Sequence, residues 1–168
     1  MGVKRTPFYS LALFTAVLQS VFGVLAGFVN GRSPYLYIFG KLAGGLSIFT
    51  WIWIAILFRY NRRPQSSHFL CRSYAHFISF TAFFVVWLAV GIMLASQMPW
   101  ECGAKMLWCA AASFSSALAF CTSFFSMGAA IVIYKDASLS GAGLAVNVAQ
   151  SDKRDLEEMD KDYVNAPP

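Results

Sequence analysis

Four apolar runs dominate the sequence, and each is long enough for a helix to cross a membrane. A helix rises about 1.5 Å per residue, so about 20 residues are needed to cross a hydrocarbon core of about 30 Å. The runs lie at about residues 8–29, 36–58, 74–96 and 107–133. Lys41 is the only Asp, Glu, Lys or Arg within them, and its long side chain can reach the headgroups. The sequence therefore predicts an all-α fold, a four-helix transmembrane bundle.

Composition supports a membrane location. Hydrophobic residues make up 58% of the chain and charged residues only 12%, whereas a soluble domain of this size needs far more charge to cover its surface. A cleavable signal peptide is an alternative for the first run, because Lys4 and Arg5 precede it. The run is too long for a signal core, and its removal would leave an odd number of spans. We expect a multi-pass protein of the plasma membrane or of a secretory or endosomal membrane.

The basic residues predict that both termini are cytosolic, because short cytoplasmic loops are enriched in Lys and Arg. With the N-terminus inside, seven basic residues of the membrane-spanning part lie on the cytoplasmic side and three lie outside. The seven are Lys4, Arg5, Arg59, Arg62, Arg63, Arg72 and Lys135, and the three are Arg32, Lys41 and Lys105.

The chain divides by composition near Lys135. Residues 1–135 form the predicted four-span domain, whose loops are too short to hold another folded domain. Residues 136–168 carry seven acidic and three basic residues, against one acidic and ten basic residues before them. We expect residues 136–168 to form a flexible acidic cytosolic tail. The net charge of +5 thus reflects a basic membrane body, and no nucleic-acid partner is implied.

The segment MPWECGAKMLWC carries Cys102 and Cys109 in the predicted outer loop. Along a continuous helix this spacing gives roughly 10 Å, beyond the limit of about 7 Å between the Cα atoms of a disulfide. A bridge therefore requires the loop to fold back, which Pro99 and Gly103 allow. Because thiols are oxidised outside the cytosol, we predict a disulfide between these cysteines. The alternative is a pair of independent, reduced cysteines at the membrane interface.

The sequence lacks the residue patterns that catalysis and metal binding require. A membrane thiol oxidoreductase needs a closely spaced cysteine pair and a second relay pair, but Cys71 is predicted to be cytoplasmic and Cys121 lies inside the fourth run. Two outer cysteines without an outer histidine do not make a zinc site. Ion or proton transport usually needs charged groups at membrane depth, and the runs contain no acidic residue. We expect no enzyme activity, no cofactor and no metal, while a pore for a neutral solute stays open.

Small residues recur at every fourth position in three of the runs, a spacing that lets helix backbones approach closely. Any one of these series is expected to close the protein's own bundle, but one of the three could face outward and bind another copy. Gln19 is expected to bond to a neighbouring helix. The packing residues are Gly23 and Gly27 in the first run, Gly40 and Gly44 in the second, and Ala111, Ser115, Ala119 and Ser123 in the fourth.

The cytoplasmic loop RYNRRPQSSHFLCR carries four arginines, which can attract anionic headgroups at about 1 kcal/mol each. The alternative is that they only set the topology. Cys71, beside this basic cluster, is a candidate for S-acylation, with a free thiol as the alternative. The start MGVKRT fits a myristoylation pattern, but a spanning chain gains little from it. The headgroup candidates are Arg59, Arg62, Arg63 and Arg72.

Several segments carry a family resemblance. LQSVFGVLAGFVNG in the first span, VVWLAVGIMLAS in the third and CAAASFSSALAF at the start of the fourth, together with Cys102 and Cys109, resemble MARVEL-domain proteins, especially the small fungal members. The resemblance covers about residues 8–133. It implies a non-enzymatic protein that organises membrane microdomains, membrane apposition or vesicle traffic. Its expected partners are membrane lipids, including anionic lipids and the lipids of sterol-rich domains. Other copies of the chain or other membrane proteins are further expected partners. The alternative is a small transporter or channel, or an accessory subunit of one.

Overall fold

The protein is a bundle of four long antiparallel helices, as the apolar runs predict. The structure, a computed structural model, describes residues 5–27, 34–60, 69–101, 107–139, 143–145 and 147–148. Each helix contains a stretch long and apolar enough to cross a membrane, so the predicted fold class is confirmed. The helices are α1 (Thr6–Gly27), α2 (Pro34–Tyr60), α3 (Ser73–Glu101) and α4 (Leu107–Leu139), with short 3₁₀ turns at Phe69–Cys71 and Gly143–Ala145.

The order of the helices around the bundle is α2, α1, α4, α3. α1 packs along both α2 and α4, and α3 packs along α4, whereas α2 and α3 touch much less. Because successive helices run in opposite directions, α1 and α3 begin at the end where α2 and α4 finish. We call this the basic end, since Arg59 and Arg72 lie there, and the other the opposite end. Both described ends of the chain therefore lie at the basic end.

Large side chains fill the middle of the bundle and its basic end. Tyr9 of α1, Ile54 of α2, and Phe80 and Trp87 of α3 are all fully buried. The outer faces carry many exposed apolar side chains, such as Phe124 of α4. In water so large an apolar surface would cause association, but it matches a lipid surrounding.

The last helix extends past the predicted domain boundary at residue 135. α4 continues to Leu139, and the described part of the predicted flexible tail lies against the bundle. Val148 is fully buried, and Asn147 pairs with Arg72 in an isolated antiparallel backbone bridge. The small and polar residues after Lys135 give no sign of these contacts in the sequence, because individual residues make the contacts rather than a long apolar run. Residues 149–168 lie outside the described part of the chain.

Candidate functional site

The glycine series of α1 and α2 face each other near the opposite end. A Cβ atom placed on Gly23 would lie 2.9 Å from the backbone nitrogen of Gly44, and one placed on Gly40 would lie 2.5 Å from that of Gly27. An ordinary contact of a Cβ atom is 3.4–4 Å. The two backbones therefore touch directly, which only glycine permits. All four predicted packing glycines are used within this one contact.

The small-residue series of α4 also faces inward. Ala111, Ser115, Ala119 and Ser123 are all buried. Ser115 Oγ accepts a hydrogen bond of 2.8 Å from Gln19 Nε2 of α1, as expected for that glutamine. Ser123 Oγ donates to the backbone carbonyl of Phe84 in α3 at 3.0 Å. This series therefore holds α4 between α1 and α3, so none of the three predicted series is left on the outside.

Further hydroxyl groups, which were not predicted from the sequence, join the helices at membrane depth. Thr122 Oγ1 donates to Thr15 Oγ1 at 3.0 Å, linking α4 to α1. Ser116 Oγ donates to the carbonyl of Gly91 at 3.1 Å, linking α4 to α3. Spacing could have indicated the first pair, because Thr15 lies one turn before Gln19 on the same face of α1. Bonds of this kind average about 0.6 kcal/mol in membrane proteins.

Tryptophans join α2 to α3, two neighbouring helices that pack together less closely than α1 with α2, α1 with α4 or α3 with α4. Trp53 Nε1 donates to Ser79 Oγ at 3.0 Å, and Trp87 Nε1 donates to Thr50 Oγ1 at 3.2 Å. A buried indole N–H needs a hydrogen-bond acceptor, and the hydroxyls supply it from the facing helix. The aromatic segment FTWIWIAILF of α2 thus contributes to the contact between these two helices.

An ion pair closes the basic end between the first helix and the last. The guanidinium of Arg5, just before α1, lies 3.6 Å from the carboxylate of Asp136 in α4, and the two side chains are 2% and 16% exposed. This pairing was not predicted, because Asp136 falls in the predicted tail. Because removing one partner of a buried pair leaves a charge uncompensated, the two residues are expected to fix the start of α1 against α4.

Beside this pair, a histidine links three elements. Tyr9 Oη lies 2.8 Å from His76 Nδ1, and His76 Nε2 lies 2.8 Å from the carbonyl oxygen of Leu70. A carbonyl can only accept, so Nε2 carries the hydrogen, and Nδ1 of the neutral ring accepts from the Tyr9 hydroxyl. Both ring nitrogens are therefore engaged, which gives His76 a structural role joining α1, α3 and the first 3₁₀ turn.

The predicted headgroup arginines are described in part. Arg59 at the end of α2 and Arg72 just before α3 are both exposed at the basic end. Arg62 and Arg63 lie outside the described residues. The basic end thus presents at least two exposed cations at the boundary of the spans.

The cysteines occupy different environments. Cys71 carries a free thiol, but it is buried, with Sγ 3.9 Å from the carbonyl oxygen of Tyr60. S-acylation of Cys71, a candidate from the sequence, would therefore require the 3₁₀ turn to move first, and it remains a prediction with a free thiol as the alternative. Cys121 is a free, exposed thiol on α4. Cys109 is buried and is not one of the free thiols, while its predicted partner Cys102 lies outside the described residues. The disulfide between these two remains a prediction.

Among the described residues, no three His, Cys, Asp or Glu side chains come together in a way that could hold a metal ion. Comparisons of the chain with protein-family models, with curated proteins and with solved structures give no match. The family resemblance stays a prediction.

Proposed function

We propose that this chain is a non-enzymatic membrane organiser, a self-closed bundle that gathers anionic lipid at its basic end. The observation that carries the proposal is the contrast between interior and surface. Inside the bundle, Gln19 bonds to Ser115 and Thr122 bonds to Thr15, while exposed cations mark the basic end. The charged groups that a partner could bind therefore lie on the outer surface of the bundle.

The interior gives little support to transport. At membrane depth, Gln19 bonds to Ser115 and Thr15 bonds to Thr122, so these groups are used in holding helices together. Trp87 fills space in the middle of the bundle. Charge transport usually needs ionisable groups that face a cavity within the membrane. The described ion pair, Arg5 with Asp136, lies instead at the basic end.

The basic end suits anionic lipid if it faces the cytosol, as the distribution of Lys and Arg suggests. Each basic residue near an anionic membrane surface contributes about 1 kcal/mol. Arg59, in the last turn of α2, and Arg72, just before α3, are both exposed, so their guanidinium groups can reach lipid headgroups. The resemblance to MARVEL-domain proteins points the same way, toward lipid microdomains, membrane apposition or vesicle traffic in the plasma membrane or in secretory or endosomal membranes.

The test is clustering of anionic lipid around the purified protein in liposomes. Replacing the four loop arginines by glutamine should lower the enrichment of a fluorescent anionic lipid, and the loss should shrink at high salt, where charges are screened. The loop variant carries Arg59→Gln, Arg62→Gln, Arg63→Gln and Arg72→Gln.

The matched control removes cations predicted at the opposite end, in a variant with Arg32→Gln and Lys105→Gln. Enrichment by this control should stay close to that of the parent. The proposal fails if the loop variant gathers lipid as well as the parent does. Saturable flux of a specific solute in the same liposomes would instead favour the small transporter or channel.

A further inference from the structure

We propose that Lys41 and Tyr37 hold the phosphate of one phospholipid molecule on the exposed face of α2, with an acyl chain lying in a notch at Gly45. This site lies toward the opposite end, away from the basic-end arginines. The inference shares one premise with the proposed function, which is that the bundle lies in lipid. A bound lipid at this position would be a stoichiometric ligand, in contrast to the loose gathering of anionic lipid at the basic end.

The polar part of the site is the pair of side chains one turn apart on α2. Lys41 Nζ lies 2.6 Å from Tyr37 Oη and 3.9 Å from the centre of the Tyr37 ring. A lysine ammonium has three N–H donors, of which the phenol oxygen accepts one, and the phenol keeps its own O–H as a donor. Both residues are exposed. An ammonium and a hydroxyl side by side form a donor set for a phosphate oxyanion.

The depth of Lys41 matches a lipid phosphate. Lys41 and Arg59 lie eighteen residues apart on α2, which corresponds to roughly 27 Å along a helix. The hydrocarbon core is about 30 Å thick. With Arg59 at one boundary of the core, Lys41 lies at the other, and Tyr37 lies one turn further out among the headgroups, where tyrosine is enriched. The ammonium and phenol therefore meet at the level of the phosphates.

Directly below the ammonium, α2 has a gap in its surface. Gly45 lies one turn from Lys41 toward the membrane centre, and apart from its chain neighbours and the adjacent backbone of α2, no heavy atom lies within 4 Å of the place that its Cβ would occupy. The neighbouring side chains Ile48 and Phe49 are exposed, so they can border an acyl chain. Packing of α1 does not explain this glycine, because Gly44 makes that contact. A glycine inside a helix weakens the helix, and an acyl chain seated in the notch gives it a role.

The experiment is native mass spectrometry of the purified full chain after reconstitution with phosphatidylcholine and phosphatidylglycerol and transfer into mild detergent. The parent should retain one phospholipid. Lys41→Gln and Tyr37→Phe should each lower its occupancy at least fivefold, by removing donors to the phosphate. Gly45→Leu should lower it as much by filling the notch. Helix content is measured for each variant, and if Gly45→Leu does not fold, the two polar variants decide.

Two controls match these changes. Lys135→Gln removes an exposed lysine at the basic end, and Ala110→Leu adds a leucine side chain at an exposed position of α4. Both should retain the lipid. Retention by Lys41→Gln equal to that of the parent, or equal loss in Lys135→Gln, would overturn the site. So would binding of inorganic phosphate by the detergent-purified chain in place of lipid, because the ligand would then be a free ion.

Failure of the Lys41 site can be distinguished from failure of the proposed function. The variant lacking Arg59, Arg62, Arg63 and Arg72 should keep this one lipid, and Lys41→Gln should still gather anionic lipid in liposomes. If Lys41→Gln keeps the lipid while the arginine variant stops gathering lipid, the inference fails and the proposed function stands.

Discussion

Adding one methyl group at Gly40 should destabilise the bundle, while the same change at Gly45 should not. The Cβ atom of an alanine at position 40 would lie 2.5 Å from the backbone nitrogen of Gly27 and 2.8 Å from its Cα. Since an ordinary contact is 3.4–4 Å, α1 and α2 would have to separate by about 1 Å or deform, an overpacking of the kind that costs about 1–3 kcal/mol. At Gly45 the added atom meets nothing within 4 Å.

The comparison cancels the effect of helix propensity. Replacing glycine by alanine inside a helix is favourable by about 1 kcal/mol, and both changes are made in α2. The difference in the free energy of unfolding between Gly45→Ala and Gly40→Ala should therefore equal the overpacking cost, about 1–3 kcal/mol. Unfolding by dodecyl sulfate in mixed micelles, followed by far-UV circular dichroism, measures it. Equal stability of the two variants would refute the direct backbone contact between α1 and α2.

Three further outcomes follow from the basic end. Tyr9→Phe leaves His76 Nδ1 buried without its donor, and should lower the free energy of unfolding by about 1–3 kcal/mol; stability equal to that of the parent would contradict the bond. Arg5→Gln and Asp136→Asn should each destabilise the bundle, and the double variant should lose less than the sum, a coupling that a double-mutant cycle measures; additive losses would exclude the ion pair. Cys71 in the folded protein should react with a membrane-permeant maleimide more slowly than after unfolding, and equally fast labelling would contradict its burial.

The spans were predictable because crossing a membrane fixes the length and polarity of a segment, and each helix must satisfy its own backbone. Even the pairing of the glycines left a signal. Gly23 lies four residues before Gly27, and Gly44 lies four residues after Gly40, so the pairs Gly23–Gly44 and Gly27–Gly40 fit one antiparallel register. Two antiparallel helices joined by a short loop bring such positions face to face, so both contacts could have been read from the spacing.

The contacts of α1 with α4 and α3 leave a weaker signal, because the spacing of Thr15 and Gln19 indicates a face of α1 but not the partners of that face. Gln19 and Ser115, or Tyr9 and His76, are separated by 96 and 67 positions, and no short connection fixes the register between their helices. Which hydroxyl faces which depends on small rotations and shifts of whole helices. The ion pair of Arg5 with Asp136 was missed for the same reason, and the change of composition after Lys135 suggested a boundary that α4 does not respect.

The distribution of contacts has a consequence for where partners act. In lipid there is no hydrophobic force between helices, so close packing and hydrogen bonds must hold the bundle together. The contacts that do this differ along its length: glycine backbones near the opposite end, hydroxyl groups and Gln19 in the middle, and ions and the histidine at the basic end. On the outer faces of the described helices, apolar side chains dominate, and exposed charged side chains lie near the helix ends. Selective recognition of lipid or protein should therefore begin where Lys41, Arg59 and Arg72 place charge beside the apolar faces.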